Sequence, residues 1–311
     1  MQSLTPESNT SKNQEVWDEG SSNALLERFL RSIARDWTIA PAFLILLGLI
    51  LSAVLAPILS PHDPYAVDMS IGHIPPVFIS GGNPQYLLGT DSLGRDVFSR
   101  LIYGGRISLL VGVTTVLLGG IVGLILGVLA GYYGGWVDNL IMRLADAQLA
   151  FPFILLIIAV IAVLGSNLRN LIIVLAASSW VHYARLARAE VLTVIRLDYI
   201  EAARAIGSTN RRIILRHVLP NVVNSIIILA TVSVAQMILA ESALSYLGLG
   251  VQLPTPTWGS MLNEARQYLS FNPWLSIIPG FAIMLTVLSV NILGDLLRDL
   301  WDPQQQTQKL N

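Results

Sequence analysis

Five stretches of this chain, residues 38–59, 107–130, 147–164, 222–248 and 274–293, are almost wholly apolar. Each is about the 20 residues that an α-helix needs to cross the hydrocarbon layer of a bilayer. Wound as helices there, they satisfy every backbone hydrogen bond internally, which an irregular segment facing lipid cannot do. A sixth stretch, 171–187, is weaker because His182 and Arg185 lie near its end. Counting it brings both ends of the chain to one side. Only 13% of the residues are charged, about half the share of an ordinary soluble domain. The pattern predicts an all-α, polytopic membrane protein with six transmembrane helices.

Basic residues orient it. With the N-terminus in the cytoplasm, fourteen of the nineteen Lys and Arg fall inside, seven of them between Arg185 and Arg216. Five fall outside: Arg95, Arg100, Arg106, Arg169 and Arg266. Excess Lys and Arg mark cytoplasmic segments. The expected layout is a cytoplasmic tail over 1–37, a first span at 38–59 and an extracytoplasmic loop at 60–106. A membrane core follows over 107–296 with a cytoplasmic loop at 188–221, then a cytoplasmic tail over 297–311. The polar opening of the chain sets the first span too deep, and the span is too long, for a cleaved signal peptide.

Several chemistries are excluded. A net charge of −1 argues against bulk binding of nucleic acid, and zero cysteines remove disulfides, thiolate metal sites and Cys nucleophiles. His62, His73, His182 and His217 show no metal-ligand spacing. The only lysines are Lys12 and Lys309, and neither follows the glycines of a phosphate-binding loop, so the chain carries no P-loop ATPase of its own. It has no His-Glu-x-x-His element, and no catalytic residue is assigned.

The most informative polar island is residues 199–221. Tyr199, Ala203 and Ile206 recur at helical spacing beside small Ala202 and Ala205, with Glu201 and Arg204 as polar flanks. Gly207 suits a left-handed helix stop, Ser208 or Thr209 suits the cap of a second short helix, and Pro220 is expected to end that helix. Glu201-Ala202-Ala203, then Gly207, then Val218-Leu219-Pro220 resembles the EAA loop of binding-protein-dependent ABC importer permeases. His217 departs from the apolar residues expected there. The resemblance implies that Tyr199, Glu201, Ala202, Ala203, Arg204, Gly207, Leu219 and Pro220 form the coupling site for a separate ATPase.

Two further stretches are similar to one branch of that family. Gly89-Thr90-Asp91 with Gly94-Arg95-Asp96 resembles a signature of the shorter paired permease of dipeptide, oligopeptide and nickel importers. Read from the residues, Asp91 caps a helix starting near Ser92, leaving Arg95 and Asp96 exposed on a surface helix. The run from Ala240 through Arg266 resembles the segment joining the last two helices of the same branch. It holds Glu241, a carboxylate in an apolar helix, which is read either as a hydrogen-bonded structural group, with Ser242, Ser245 or an Arg as partner, or as part of the translocation path. Trp258 and Trp274 suit the membrane interface. Gly119, Gly123, Gly127 and Gly131 line one helix face and invite close approach of a neighbouring backbone.

The resemblance runs from the first span to Asp302 and implies an ABC importer type I permease fold in the bacterial inner membrane. It also implies the partners: a second, homologous permease, two ATP-binding subunits and an extracytoplasmic substrate-binding protein. ATP and Mg would sit on the ATPase subunits, with no cofactor bound by this chain. Peptides are the favoured substrate, with nickel chelates and glutathione open. The competing class is a self-contained proton- or sodium-coupled transporter, supported by Glu241 and Asp146 alone.

Overall fold

The computed structural model describes residues 37–301, so nearly all of the expected tail at 1–37 and residues 302–311 of the expected tail at 297–311 lie outside the described residues. Helices account for almost all regular structure. They are α1 (Ile39–Val54), α2 (Ala56–Leu59), α3 (Val97–Tyr133), α4 (Gly135–Leu149), α5 (Phe153–Leu164) and α6 (Leu168–Val194). Then follow α7 (Asp198–Ala205), α8 (Asn210–Ile213), a π-helical turn (Ile214–Val218), α9 (Leu219–Tyr246), α10 (Trp258–Ala265) and α11 (Trp274–Trp301). The nearest approach to a sheet among the described residues is one isolated bridge between Thr90 and Asp96.

A helix occupies each of the six expected stretches, but the lengths differ. The segments Val97–Tyr133, Asn210–Tyr246 and Trp274–Leu300 are long and apolar enough to cross a membrane by length and composition. The expected span at 147–164 is broken: α4 and α5 meet at 89° and reach that standard only as a bent pair. The break falls where Pro152, lacking an N–H, precedes the first residue of α5. α1 is shorter than a full span, and α6 is long but carries His182, Arg185 and Arg188. Two loop boundaries also move. α3 begins ten residues inside the expected 60–106 loop, and α11 runs through 297–301, which the sequence reading placed in a tail.

α3 is the axis of the fold. Its 37 residues span roughly 55 Å at 1.5 Å per residue. The four-glycine stripe lies against α6. A Cβ on Gly119 would stand 2.1 Å from the Ser179 hydroxyl, on Gly123 2.4 Å from the Trp180 carbonyl, on Gly127 2.4 Å from the Ala184 carbonyl, and on Gly131 2.8 Å from Val191. α6 answers with small residues, Ala176, Ser179, Ala184 and Ala187, all buried. Backbones therefore approach where side chains are absent, which is how helices gain contact in a medium as apolar as their own side chains.

Two apolar cores sit along this axis. One joins the middle and far end of α3 to α5, α6, Ile200 of α7, Ile213 of α8, Val218 and α9. The other joins Val97 at the start of α3 to Ile238 of α9, α10 and α11. Val234 borders both.

Gly127→Val sets a branched side chain against the Ala184 carbonyl, and overpacking of this kind costs about 1–3 kcal/mol or more. The folded chain is expected to accumulate less and melt earlier in detergent than wild type. Gly120→Val, facing the Tyr183 ring at 3.7 Å, is expected to do less, and equal melting temperatures for the two would remove the stripe's role.

Candidate coupling site and the outer ion-pair cluster

α7 opens with Asp198 and Glu201 in its first turn and closes with Arg204 in its last, the charge order that suits a helix dipole. Ile200 and Ala203 are its buried stripe, so of the three residues at helical spacing only Ala203 faces inward. Tyr199 is 45% and Ile206 83% exposed, and Glu201, Ala202 and Arg204 are exposed with them. Ile200 anchors α7 to the larger core, which leaves the remaining face exposed.

Gly207 stops the helix as expected, at φ +82°. Its N–H donates to the Arg204 carbonyl and the Ser208 N–H donates to the Ala203 carbonyl, a Schellman closure. Thr209 then caps α8, its hydroxyl accepting from the Arg212 N–H at 3.4 Å. Pro220 does not end the second helix. α8 runs through the π turn into α9, with Leu219 and Pro220 in the first turn of α9. The wider turn just before Pro220 takes up the ring and the missing donor, so the chain passes unbroken from the coupling region into the apolar span.

This end of the bundle is tied together by polar contacts. The Tyr132 hydroxyl at the end of α3 donates to Asn210 Oδ1 at 2.9 Å, and the Arg204 guanidinium lies 5.9 Å from the Tyr132 ring centre. His217, the departure from the expected pattern, faces Tyr199 with ring centres 6.0 Å apart, and Asn221 donates to the His217 carbonyl at 2.6 Å. Arg188 holds Asp138 at 2.6 Å, and Arg185 pairs with Asp146.

At the opposite end of α3 the structure corrects the sequence reading. Asp96, not Asp91, caps the helix: its Oδ2 accepts from the Ser99 N–H at 2.9 Å. Arg95 and Asp96 are buried, at 4% and 2% exposure, where exposure was expected. Asp91 instead gathers two arginines. Arg95 Nε donates to it at 2.7 Å and Arg100 at 2.6 Å, and the same arginines reach Glu264 of α10 at 2.6 and 3.0 Å. Two positive and two negative charges therefore close on one another. The turn that brings them together needs Gly94 at φ +72°, where a Cβ would lie 1.8 Å from the Asp68 carbonyl. Beside it Asp68 accepts from the Ser70 hydroxyl and then its N–H, which holds the Asp68 carboxyl below the usual carboxylate range.

Trp258 is also inside, not at an interface: it is 2% exposed, its Nε1 donates to the Leu101 carbonyl at 3.0 Å, and its ring fills the notch at Gly105. Sequence reasoning missed Glu264. It lies more than 160 residues from its partners, and no local spacing announces such a pair.

Glu241 has no exposed surface. Its carboxylate accepts from Ser245 at 2.7 Å, Ser108 of α3 at 3.0 Å and Ser242 at 3.4 Å, and Ser108 Oγ in turn accepts from the Trp258 N–H at 3.4 Å. It joins α3, α9 and the start of α10. Among the described residues no group of three or more His, Cys, Asp or Glu is placed to hold a metal.

A family described as "Binding-protein-dependent transport system inner membrane component" matches residues 123–306. The chain belongs to this family. It is 50% identical over 225 residues to the glutathione transport system permease protein GsiD of Escherichia coli O157:H7, covering 72% of this chain and 74% of the relative. It is 43% identical over 279 residues to the di/tripeptide transport system permease protein DppC of Pseudomonas aeruginosa strain UCBPP-PA14, covering 90% and 92%. Among solved structures, the inward-facing MetNI methionine ABC transporter aligns with TM-score 0.53 at 19% identity, over 65% of this chain and 97% of that one. The fold is that of an ABC importer permease, and the chain is a permease subunit of an inner-membrane importer.

Removing one partner of a buried pair leaves an uncompensated charge, at a cost of about 3–5 kcal/mol. Glu264→Gln is expected to lower the melting temperature of the purified chain strongly, whereas Arg266→Gln, exposed on the next turn, should leave it near wild type. Similar small losses in both would show that the cluster does not hold this end of α3 to α10.

Proposed function

We propose that this permease forms half of a translocation pathway for di- and oligopeptides and that α7 couples it to a separate ATPase. The carrying observation is α7 itself: one stripe fixed in the core, the opposite face exposed, and the C-terminal end closed at Gly207 of the EAA-like run. The named relatives handle glutathione and di- or tripeptides, all built from amide-linked amino acids, which supports a peptide-like substrate. The other half of the pathway is a homologous permease. Two ATP-binding subunits carry ATP and Mg, a binding protein delivers substrate from outside, and this chain catalyses nothing. All six helical stretches cross the bilayer, with both termini in the cytoplasm. Glu241 shapes the pathway from behind its wall, by fixing α3 to α9 and α10.

A self-contained ion-coupled carrier is the less supported reading. Glu241 is enclosed by serine hydroxyls, and Asp146 is paired with Arg185 at the bundle surface. Vesicles holding this chain alone are expected to hydrolyse no ATP and to show no uptake under an imposed pH gradient. Robust gradient-driven uptake, abolished by Glu241→Gln, would overturn the importer assignment.

Glu201→Arg reverses a charge on the exposed face, and Gly207→Val puts a β-branched residue at φ +82°. Each should reduce ATP-dependent uptake by roughly tenfold or more, as loss of an interface hot spot does, while membrane insertion stays normal. Full uptake in both variants would remove the coupling role. Orientation is checked separately in this cysteine-free chain. An impermeant thiol reagent applied to intact cells should label Ser80→Cys and spare Thr209→Cys; the opposite result inverts the topology.

A further inference from the structure

The seven arginines between residues 185 and 216 do not share one role. Arg185 and Arg188 are held by Asp146 and Asp138, and Arg204 lies over Tyr132. Three of the other four, Arg211, Arg212 and Arg216, fall on one short helical segment, all exposed. Among the described residues none of them has a carboxylate within ion-pair distance. Leu215, 52% exposed, stands in their midst, while Ile213 and Val218 turn the other face of the segment into the core.

Position along the helix decides what such a surface meets. The segment continues without a break to Tyr246, giving 37 residues, roughly 55 Å of helix against about 30 Å of hydrocarbon. The surplus must stand outside the hydrocarbon. Arg216 lies six residues before Val222, where the apolar span at 222–248 begins, about 9 Å along the axis, which puts it beside the hydrocarbon edge at headgroup depth. Basic residues flanking an exposed apolar side chain at that depth are what an anionic lipid surface attracts. Guanidinium groups without carboxylate partners also have their paired N–H donors free for phosphate oxygens.

We propose that Arg211, Arg212 and Arg216, with Leu215 between them, bind the headgroups of anionic phospholipids at the root of the coupling region. The inference rests on the cytoplasmic placement proposed above. The lipid anchors α8 and the π turn, and so fixes the depth from which α7 is presented.

The test uses the assembled importer in phosphatidylcholine vesicles with spin-labelled phosphatidylglycerol, whose preference over spin-labelled phosphatidylcholine reports selective contact. Replacing the three arginines by Gln is expected to lower that preference about fivefold for each charge removed. Replacement by Lys should retain most of it. ATPase co-purification should survive both replacements. Unchanged selectivity in the Gln variant overturns the proposal, and if ATPase is lost at the same time the three arginines belong to the ATPase interface. Should the triple variant fail to assemble, Arg212→Gln and Arg216→Gln singly carry the same test. The coupling reading is read out apart from this: Glu201→Arg should uncouple the ATPase and leave lipid selectivity unchanged, so failure of one reading is not mistaken for failure of the other.

Discussion

Backbone contact between α3 and α6 along four glycines is the constraint on which the rest depends. Between helices in a membrane the hydrophobic effect supplies little, so association rests on how closely two backbones can approach. Gly123 and Gly127 place α3 where the α6 carbonyls of Trp180 and Ala184 leave no room for a Cβ. That contact fixes where α6 ends, and α7 begins only a few residues later. It also fixes where the far end of α3 brings Tyr132 to Asn210. The Asp91–Glu264 ion-pair cluster and the α7–α8 region are thus attached to the two ends of one rod, whose position is set by its contact with α6.

The two ends differ in how deeply their charges lie. The end that carries α7 is held by hydrogen bonds, a cation over a ring, an apolar anchor at Ile200 and two ion pairs that are partly open to solvent. The opposite end holds three buried charges and the partly buried Glu264, whose removal from water is costly and whose mutual contacts offset that cost only while all four are present. Such a cluster contributes little net stability but strongly disfavours other registers of the loop against α10. Asp91, at the centre, accepts from the Leu93 and Arg95 backbone as well as from both guanidinium groups. The loop's own turn and its attachment to α10 therefore depend on one carboxylate.

What was legible in the sequence followed the range of the interaction. The Gly207 stop and the Thr209 cap are decided within a few residues, and both appear where local chemistry places them. The glycine stripe was legible as a face, although nothing local named α6 as its partner. Arg95 and Asp96 looked exposed because an unpaired charge next to an apolar span belongs in water, and the partner that reverses this, Glu264, is distant in the chain. Trp258 misled for the same reason: its burial depends on the space left at Gly105. The start of α3 was placed late because Arg100 and Arg106 interrupt the apolar pattern, though Arg100 is nearly fully buried.

A proline removes a donor and crowds the preceding turn, so by local chemistry Pro220 predicts a helix end. The chain answers with one turn of π-helix immediately before it, which widens the spiral where the ring would clash. A helix that ended there would leave the coupling region on a flexible joint. Continuing through it, the helix gives α8 a stiff connection to α9, and α9 ends beside the Glu241 hydroxyl network that holds α3 and α10. A displacement applied at Asn210 therefore acts on a lever that reaches the opposite end of the bundle. The π turn also sets the rotation between α8 and α9, so the direction in which α7 faces depends on the turn immediately before Pro220.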